Sequence, residues 1–119
     1  DELISLSREL DQVMPCIDFS HLHARSNGKW NSSAEFEEIL GKVEKALGKK
    51  ALSQMHMHLS GIAYGEKGEK HHLILKESDF QYKALLETLK KHQVGGFLIS
   101  ESPDIEKDAL LLKRTYAKI

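Results

Sequence analysis

The fold is decided by a short apolar run that carries two histidines, Met55-His56-Met57-His58-Leu59. In a β-strand, side chains two residues apart lie on the same face. The run therefore predicts a strand with both imidazoles on one face and the methionines and Leu59 packed on the other. Two histidines in a half-buried strand indicate that ligands or hydrogen-bond partners lie opposite them.

Apolar residues elsewhere recur at steps of three and four, the period of an amphipathic helix, in four segments. The first begins near Glu2, and the others open with capping signals at Ser32, Ser78 and Ser102, the last with Pro103 at its first helical position. Apolar runs at residues 14–17, 55–59 and 96–100 predict three strands. The order α-β-α-β-α-β-α indicates parallel strands joined by crossover helices. In the last helix the inward face is predicted to hold Ile105, Ala109, Leu112 and Tyr116.

Two of the connections from strand to helix, residues 19–31 and 60–77, are much longer than the usual loop of about five residues. Both contain glycine, and the connections from helix to strand are short. Parallel α/β proteins keep their sites in loops at the carboxyl ends of the strands. This asymmetry predicts a functional face at that end of the sheet.

The composition is that of one small globular domain, residues 1–119, with 40% apolar and 29% charged residues. The net charge of -1 does not indicate a nucleic-acid binder, unless bound cations change the local balance. The single cysteine, Cys16, excludes an internal disulfide and is typical of a reducing compartment. Without a membrane-length apolar run or a visible signal peptide, we expect a cytoplasmic protein with no membrane partner. Because the chain enters a helical pattern directly at Asp1, we expect it to be part of a longer protein.

Side chains suited to holding a metal lie at the predicted strand ends. Asp18 follows the first strand, His58 lies near the end of the second, and Glu101 follows the third. Bringing several carboxylates together without cations would be costly, and a divalent metal is the simplest compensation. Mixed imidazole and carboxylate ligands suit zinc or manganese.

Each of these residues also has a simpler interpretation. Asp18 could be a local cap in the turn that ends the strand, and His21, three residues on, could serve a neighbouring centre. His56 is better explained as a neutral histidine bonded to a backbone carbonyl, or as a support for a metal ligand. Glu69 and His71 could share one side of an extended segment, or could belong to a solvated charged loop.

Four segments together resemble the endonuclease IV family in order and spacing. Members of this family are apurinic/apyrimidinic endonucleases with a TIM-barrel fold and three zinc ions. The resemblance covers essentially the whole chain, as the carboxyl-terminal part of such a barrel. The segments are Cys16-Ile17-Asp18-Phe19-Ser20-His21, Met57-His58-Leu59, Glu69-Lys70-His71-His72 and Ile99-Ser100-Glu101.

The resemblance implies two groups of zinc ligands. Asp18, His58 and Glu101 would bind one ion, whereas His21, His71 and Glu69 would bind another, with manganese as a possible replacement. Glu69 stands where the family usually has aspartate, and the glycine-rich sequence expected after the loop histidines is replaced by apolar residues. A further role, beside the reactive water, is implied for Glu101. Arg25, Lys29 and Lys70 could add contacts to DNA phosphates, although basic residues on a surface usually have no specific role.

The fold class implied is α/β: parallel βα units from the carboxyl-terminal part of a TIM barrel, with three strands and four helices. Three strands cannot close a barrel that needs eight, so the remaining strands or other copies of the chain are expected partners. The zinc cluster would be incomplete here, because the family's other ligands lie on earlier strands.

The function implied is hydrolysis of the DNA phosphodiester on the 5′ side of an abasic site by metal-activated water, with this piece alone inactive. Two alternatives stay open. One is a sugar isomerase or epimerase of the xylose isomerase type, and the other is a non-catalytic module with structural histidines.

Overall fold

A computed structural model describes residues 1–119 and contains a three-stranded parallel sheet with helices on one face. A two-stranded antiparallel hairpin lies beside it. The helices are α1 (Glu2–Glu9), α2 (Phe19–Arg25), α3 (Ser33–Leu47), α4 (Lys49–Leu52), α5 (Tyr82–Lys91) and α6 (Glu106–Ala117), with a short 3-10 turn at Leu75–Glu77. The strands are β1 (Cys16–Asp18), β2 (Met55–Leu59), β3 (Gly61–Gly65), β4 (Gly68–Leu73) and β5 (Gly96–Ser100).

The parallel sheet has the strand order β1-β2-β5, with the histidine strand in the centre. The predicted α/β class and the three parallel strands are confirmed. The register places Asp18 beside His58, and His58 beside Ile99. The carboxyl ends of the three strands therefore meet at one edge of the sheet.

The two faces of this sheet differ sharply. Met55, Met57 and Leu59 of β2 are almost completely buried and join the helices in the hydrophobic core. On the opposite face, the side chain of Phe97 is 70% exposed and that of Ile99 is 43% exposed. Since successive side chains of a strand alternate between faces, the face that carries Phe97 and Ile99 is largely open to solvent.

The apolar stripe of α1 is open as well. Leu3, Leu6 and Leu10 are each about half exposed, although their spacing is that of a buried helix face. The only buried side chain of this helix is that of Ser7. The helix thus offers an unpartnered apolar surface.

The two long connections are more ordered than the sequence predicts. Residues 19–31 begin with α2, which follows β1 without any intervening loop. Residues 60–77 form the β3–β4 hairpin and the 3-10 turn. The structure therefore has five strands and six α-helices, where three strands and four helices were predicted.

The first of the two predicted capping boxes forms in part. Ser32 Oγ accepts a hydrogen bond from the Glu35 amide, which confirms Ser32 as the N-cap, but the Glu35 carboxylate accepts from the Trp30 and Asn31 amides and not from that of Ser32. The second is wrong, because Ser78 Oγ accepts from the Ile62 amide in the hairpin and from the Phe80 amide, and α5 begins only at Tyr82.

The predicted start of the last helix at Ser102 and Pro103 is also wrong. A turn precedes α6, which begins at Glu106. Of the four side chains predicted to face inward, only that of Leu112 is buried, and Ile105 is 73% exposed; Ala109 and Tyr116 are exposed as well. The buried polar residue of this helix is Asp108, which accepts a 2.8 Å hydrogen bond from the Leu75 amide.

No helix in the structure combines the length and the apolar content needed to cross a membrane.

Candidate metal centre

Asp18, His58 and Glu101 converge at the carboxyl ends of the three parallel strands. His58 Nδ1 lies 3.2 Å from Glu101 Oε1 and 3.9 Å from Asp18 Oδ2. One ligand atom from each residue falls within 4.8 Å of the other two. The side chains are only partly exposed, by 23% for Asp18, 27% for His58 and 36% for Glu101. This group, which we call the first ligand group, could hold one cation.

The two carboxylate oxygens of Asp18 make different contacts. Its Oδ1 accepts a 2.9 Å hydrogen bond from the His21 amide and so caps α2. Its Oδ2 points into the site, 3.9 Å from His58 Nδ1 and 3.8 Å from His21 Nε2. The two interpretations of Asp18, a local cap and a metal ligand, are therefore structurally compatible.

A second ligand group lies next to the first and consists of His21, Glu69 and His72. Glu69 Oε2 is 3.3 Å from His21 Nδ1, and its Oε1 is 3.2 Å from His72 Nε2. The sequence predicts His71 in this group, but the structure corrects that prediction. His71 is exposed, pairs with Ala63 in the hairpin and belongs to no ligand group.

A β-bulge explains why His72 replaces His71. Ala63 pairs with His71, whereas the next residue, Tyr64, pairs with Glu69, so Lys70 is an extra residue in β4. In a regular strand, residues three apart would face opposite sides, but one extra residue brings Glu69 and His72 to the same side. The regular two-residue alternation of a strand predicts that His71 lies on the same side as Glu69, and that prediction is wrong because of the bulge.

The hydrogen bonds of His72 leave its second ring nitrogen facing Glu69. Its Nδ1 lies 2.9 Å from the carbonyl oxygen of Glu101. Because a carbonyl oxygen can only accept, Nδ1 carries the proton in the neutral ring, and the lone pair of Nε2 faces Glu69. Metal-binding histidines in proteins usually donate their other ring N–H in this way. Without a cation or a second proton, that lone pair would face a carboxylate oxygen.

The other predicted site residues occupy different surroundings. His56 is exposed and places its Nε2 3.2 Å from His58 Nε2, a contact that fits a supporting residue. Arg25 is exposed but lines a cleft of about 560 Å³ together with Asp18 and His21. Lys29 and Lys70 are exposed, and Lys70 is the extra residue of the bulge.

Sequence reasoning missed a polar network that fixes the hairpin against α2. His23 is completely buried, with Nδ1 2.8 Å from the Lys29 carbonyl oxygen and Nε2 2.9 Å from Asp79 Oδ1. The Tyr64 hydroxyl donates to the other oxygen of Asp79. The partners are far apart in the sequence, so no local pattern reveals them. Because α2 carries His21, and the hairpin carries Glu69 and His72, the network supports the second ligand group.

Three pKa values respond to these surroundings. The hydrogen bond to Asp79 raises the pKa of Tyr64 to about 12. Burial opposes ionisation of Asp79, but hydrogen bonds from Tyr64 and His23 outweigh it, so its pKa is lowered. The pKa of the Cys16 thiol is raised by burial, and further by the negative charges of Asp18 and Glu101.

Replacing Tyr64 by phenylalanine should remove part of the pH dependence of stability at alkaline pH. The pKa of Tyr64 is 10 as a free group and about 12 in the fold, so its contribution to stability is complete below pH 10. That contribution is lost as the pH rises from 10 to 12. Urea unfolding of the native chain and of Tyr64→Phe across this range should therefore show a difference that shrinks with pH. Tyr82→Phe is the matched control, because the Tyr82 hydroxyl makes no hydrogen bond in the structure; an equal trend there would contradict the assignment.

The chain is similar to an uncharacterized protein of Methanocaldococcus jannaschii, with 50% identity over 119 residues. The match covers all of this chain and 43% of the relative, so the chain spans less than half of that protein's length. Since 119 residues are 43% of it, the relative is about 277 residues long. No protein-family model and no solved structure matches the chain.

Proposed function

We propose that this chain forms the metal-binding edge of a longer, zinc-dependent phosphodiesterase of the endonuclease IV type, acting on DNA at abasic sites. Its fold would be the carboxyl-terminal part of a TIM barrel. The observation that carries the proposal is the pair of adjacent three-residue ligand groups at the carboxyl ends of parallel strands. Paired metal ions are a common arrangement in enzymes that hydrolyse phosphate esters.

The charge balance of the site supports bound cations. Three carboxylates, from Asp18, Glu69 and Glu101, lie among three imidazoles whose nearest polar atoms are 3.2–3.9 Å from them. With neutral imidazoles the site has three uncompensated negative charges, and no lysine or arginine makes a salt bridge to any of them. Divalent cations would offset this repulsion. The mixed nitrogen and oxygen ligands suit zinc, with manganese as the alternative.

The residues of the site can perform distinct parts of the hydrolysis. A bound divalent cation supplies Lewis acidity and lowers the pKa of a coordinated water. Glu101, the more exposed of the two carboxylates in the first ligand group, could hold a proton taken from an attacking water. Arg25 lines the same cleft as Asp18 and can offer its guanidinium to a substrate phosphate. Lys29 and Lys70 would contact phosphates further along the DNA.

The exposed face and the two unpaired edges of the parallel sheet are consistent with the proposed barrel. The exposed face of the parallel sheet would line the inside of a closed barrel, and both edge strands, β1 and β5, would gain a neighbour. The relative, at about 277 residues, is close to the length of about 250 that is typical of a TIM barrel. Additional βα units would also supply the ligands that this chain lacks.

The proposal is tested by an endonuclease assay of the whole protein that carries this sequence. With zinc present, we expect a nick on the 5′ side of the abasic site in a synthetic duplex and none in an intact duplex. The 119-residue chain alone should have little activity, since half a metal cluster cannot align an attacking water. Interconversion of free sugars without DNA cleavage would favour the isomerase instead. A protein that binds no zinc or manganese would be a non-catalytic module.

A pair of matched variants tests the second ligand group directly. His72→Ala should lower zinc affinity at that group by at least about 100-fold, because loss of a supporting residue alone costs about 10–100-fold. His71→Ala, which removes the neighbouring exposed histidine, should leave zinc binding unchanged. Isothermal titration of chelator-treated protein measures both. The reverse result would support the ligand set implied by the resemblance and would contradict the bulge.

A further inference from the structure

The open face of the parallel sheet carries a third group of side chains that could bind a metal, behind the carboxylates of the first ligand group. Cys16 pairs with His56 across β1 and β2, and two residues later Asp18 pairs with His58. All four side chains lie on the same face, since residues two apart in a strand share a side. They form two rows, one of thiol and imidazole and one of carboxylate and imidazole, about 6.6 Å apart along the strands.

His58, the imidazole of the row that contains Asp18, presents one ring nitrogen to each row. Its Nδ1 faces the carboxylates of Glu101 and Asp18, at 3.2 and 3.9 Å. Its Nε2 faces the other way and lies 3.2 Å from His56 Nε2. The first ligand group therefore uses only one of the two nitrogens of this ring.

The spacing of the ligand atoms of Cys16, His56 and His58 suits a single small cation. Two nitrogens bound to one tetrahedral zinc, each at about 2.0–2.1 Å, lie roughly 3.3–3.4 Å apart. His56 Nε2 and His58 Nε2 are 3.2 Å apart, and the ligand atoms of Cys16, His56 and His58 all lie within 4.8 Å of one another.

We propose that Cys16, His56 and His58 form a further metal site, which takes a thiolate-binding transition cation such as Zn²⁺. One sulfur and two nitrogens are ligands that zinc accepts, whereas magnesium and calcium require oxygen. Three protein ligands leave the fourth position open to water or another small ligand. The site depends on the same sheet face as the proposed hydrolase, but it does not depend on the substrate.

Proton release follows from the ligands. Binding replaces the thiol proton of Cys16, which is released to solvent. Because His58 belongs to both groups, occupancy of one site is expected to depend on occupancy of the other.

Cobalt and the single cysteine provide the test. Metal-free protein is titrated with Co²⁺, and absorption is recorded while Cys16 is challenged with an alkylating reagent. We expect a thiolate-to-cobalt charge-transfer band in the near ultraviolet and a fall of at least about tenfold in the rate of alkylation, because the free thiolate is the reactive form. The readout is unambiguous, since the chain contains no other cysteine.

Variants separate this site from the first ligand group. Cys16→Ser should abolish the charge-transfer band but keep the visible bands of cobalt bound by Asp18, His58 and Glu101. His56→Ala should abolish both the band and the protection of Cys16, whereas His71→Ala should change neither. Both Cys16 and His56 are exposed, so these substitutions should not disturb folding. Visible cobalt bands with unprotected Cys16 would overturn this inference alone, and absence of any bound cobalt would overturn the proposed function as well.

Discussion

Replacing Asp18 by asparagine is expected to weaken zinc binding by at least about 100-fold. Asparagine can still accept the hydrogen bond from the His21 amide, so α2 keeps its cap. What is lost is the negative charge of Oδ2, which reaches both His58 and His21 and so touches both ligand groups. Since loss of a residue that merely supports a ligand already costs about 10–100-fold, loss of a ligand itself should cost more.

The measurement is a zinc titration of chelator-treated protein combined with thermal unfolding. Zinc at 100 times its dissociation constant should stabilise the native chain by about 2.7 kcal/mol, and the same zinc concentration should stabilise Asp18→Asn by about 0.4 kcal/mol or less. Asp11→Asn is the matched control, because Asp11 lies in an exposed turn outside both ligand groups. Equal zinc affinity in Asp18→Asn and the native chain would refute the metal centre.

Replacing Gly96 by alanine is expected to prevent folding. Gly96 opens β5 with a φ of +112°, which L-residues rarely adopt. A Cβ there would overlap the carbonyl oxygen of Met55, its partner on the histidine strand. Neither atom can move away without breaking the central strand pairing, so we expect a loss above about 4 kcal/mol, a large share of the stability of a small domain.

Circular dichroism during urea unfolding measures this loss. Gly41→Ala is the control, and it should change the free energy of unfolding in the opposite direction. Gly41 lies inside α3, and no other part of the chain lies within 4 Å of the point that an alanine Cβ would occupy. That substitution should stabilise the chain by about 0.5–1 kcal/mol through helix propensity. A native-like unfolding curve for Gly96→Ala would mean that β5 pairs with β2 in a different register.

The sequence alone predicted the parts of the fold that depend on local periodicity. Alternation in residues 55–59 identified the central strand, and Ser32 and Glu35 marked the start of α3. Because carboxyl ends of parallel strands meet at one edge, the convergence of Asp18, His58 and Glu101 could be predicted before any coordinates.

What the sequence could not predict depends on contacts between distant segments. The bulge at Lys70 arises in the pairing of two strands, so a periodicity count could not locate it. Burial of His23 depends on Asp79 and Tyr64, which are more than 40 residues away. Apolar spacing in α1 predicted a hydrophobic face correctly, but spacing does not say whether anything covers that face.

The adjacent histidines of β4 would let the hairpin tolerate a change in the pairing of β3 with β4. If the strand lost its extra residue by pairing regularly with β3, Glu69 and His71 would share a side, and His71 would take over the position of His72. Two alternative alignments of the same hairpin would then each bring an imidazole to the second ligand group. Substitutions in the turn at Glu66 and Lys67 could consequently shift the alignment of the strands without removing the imidazole from that group.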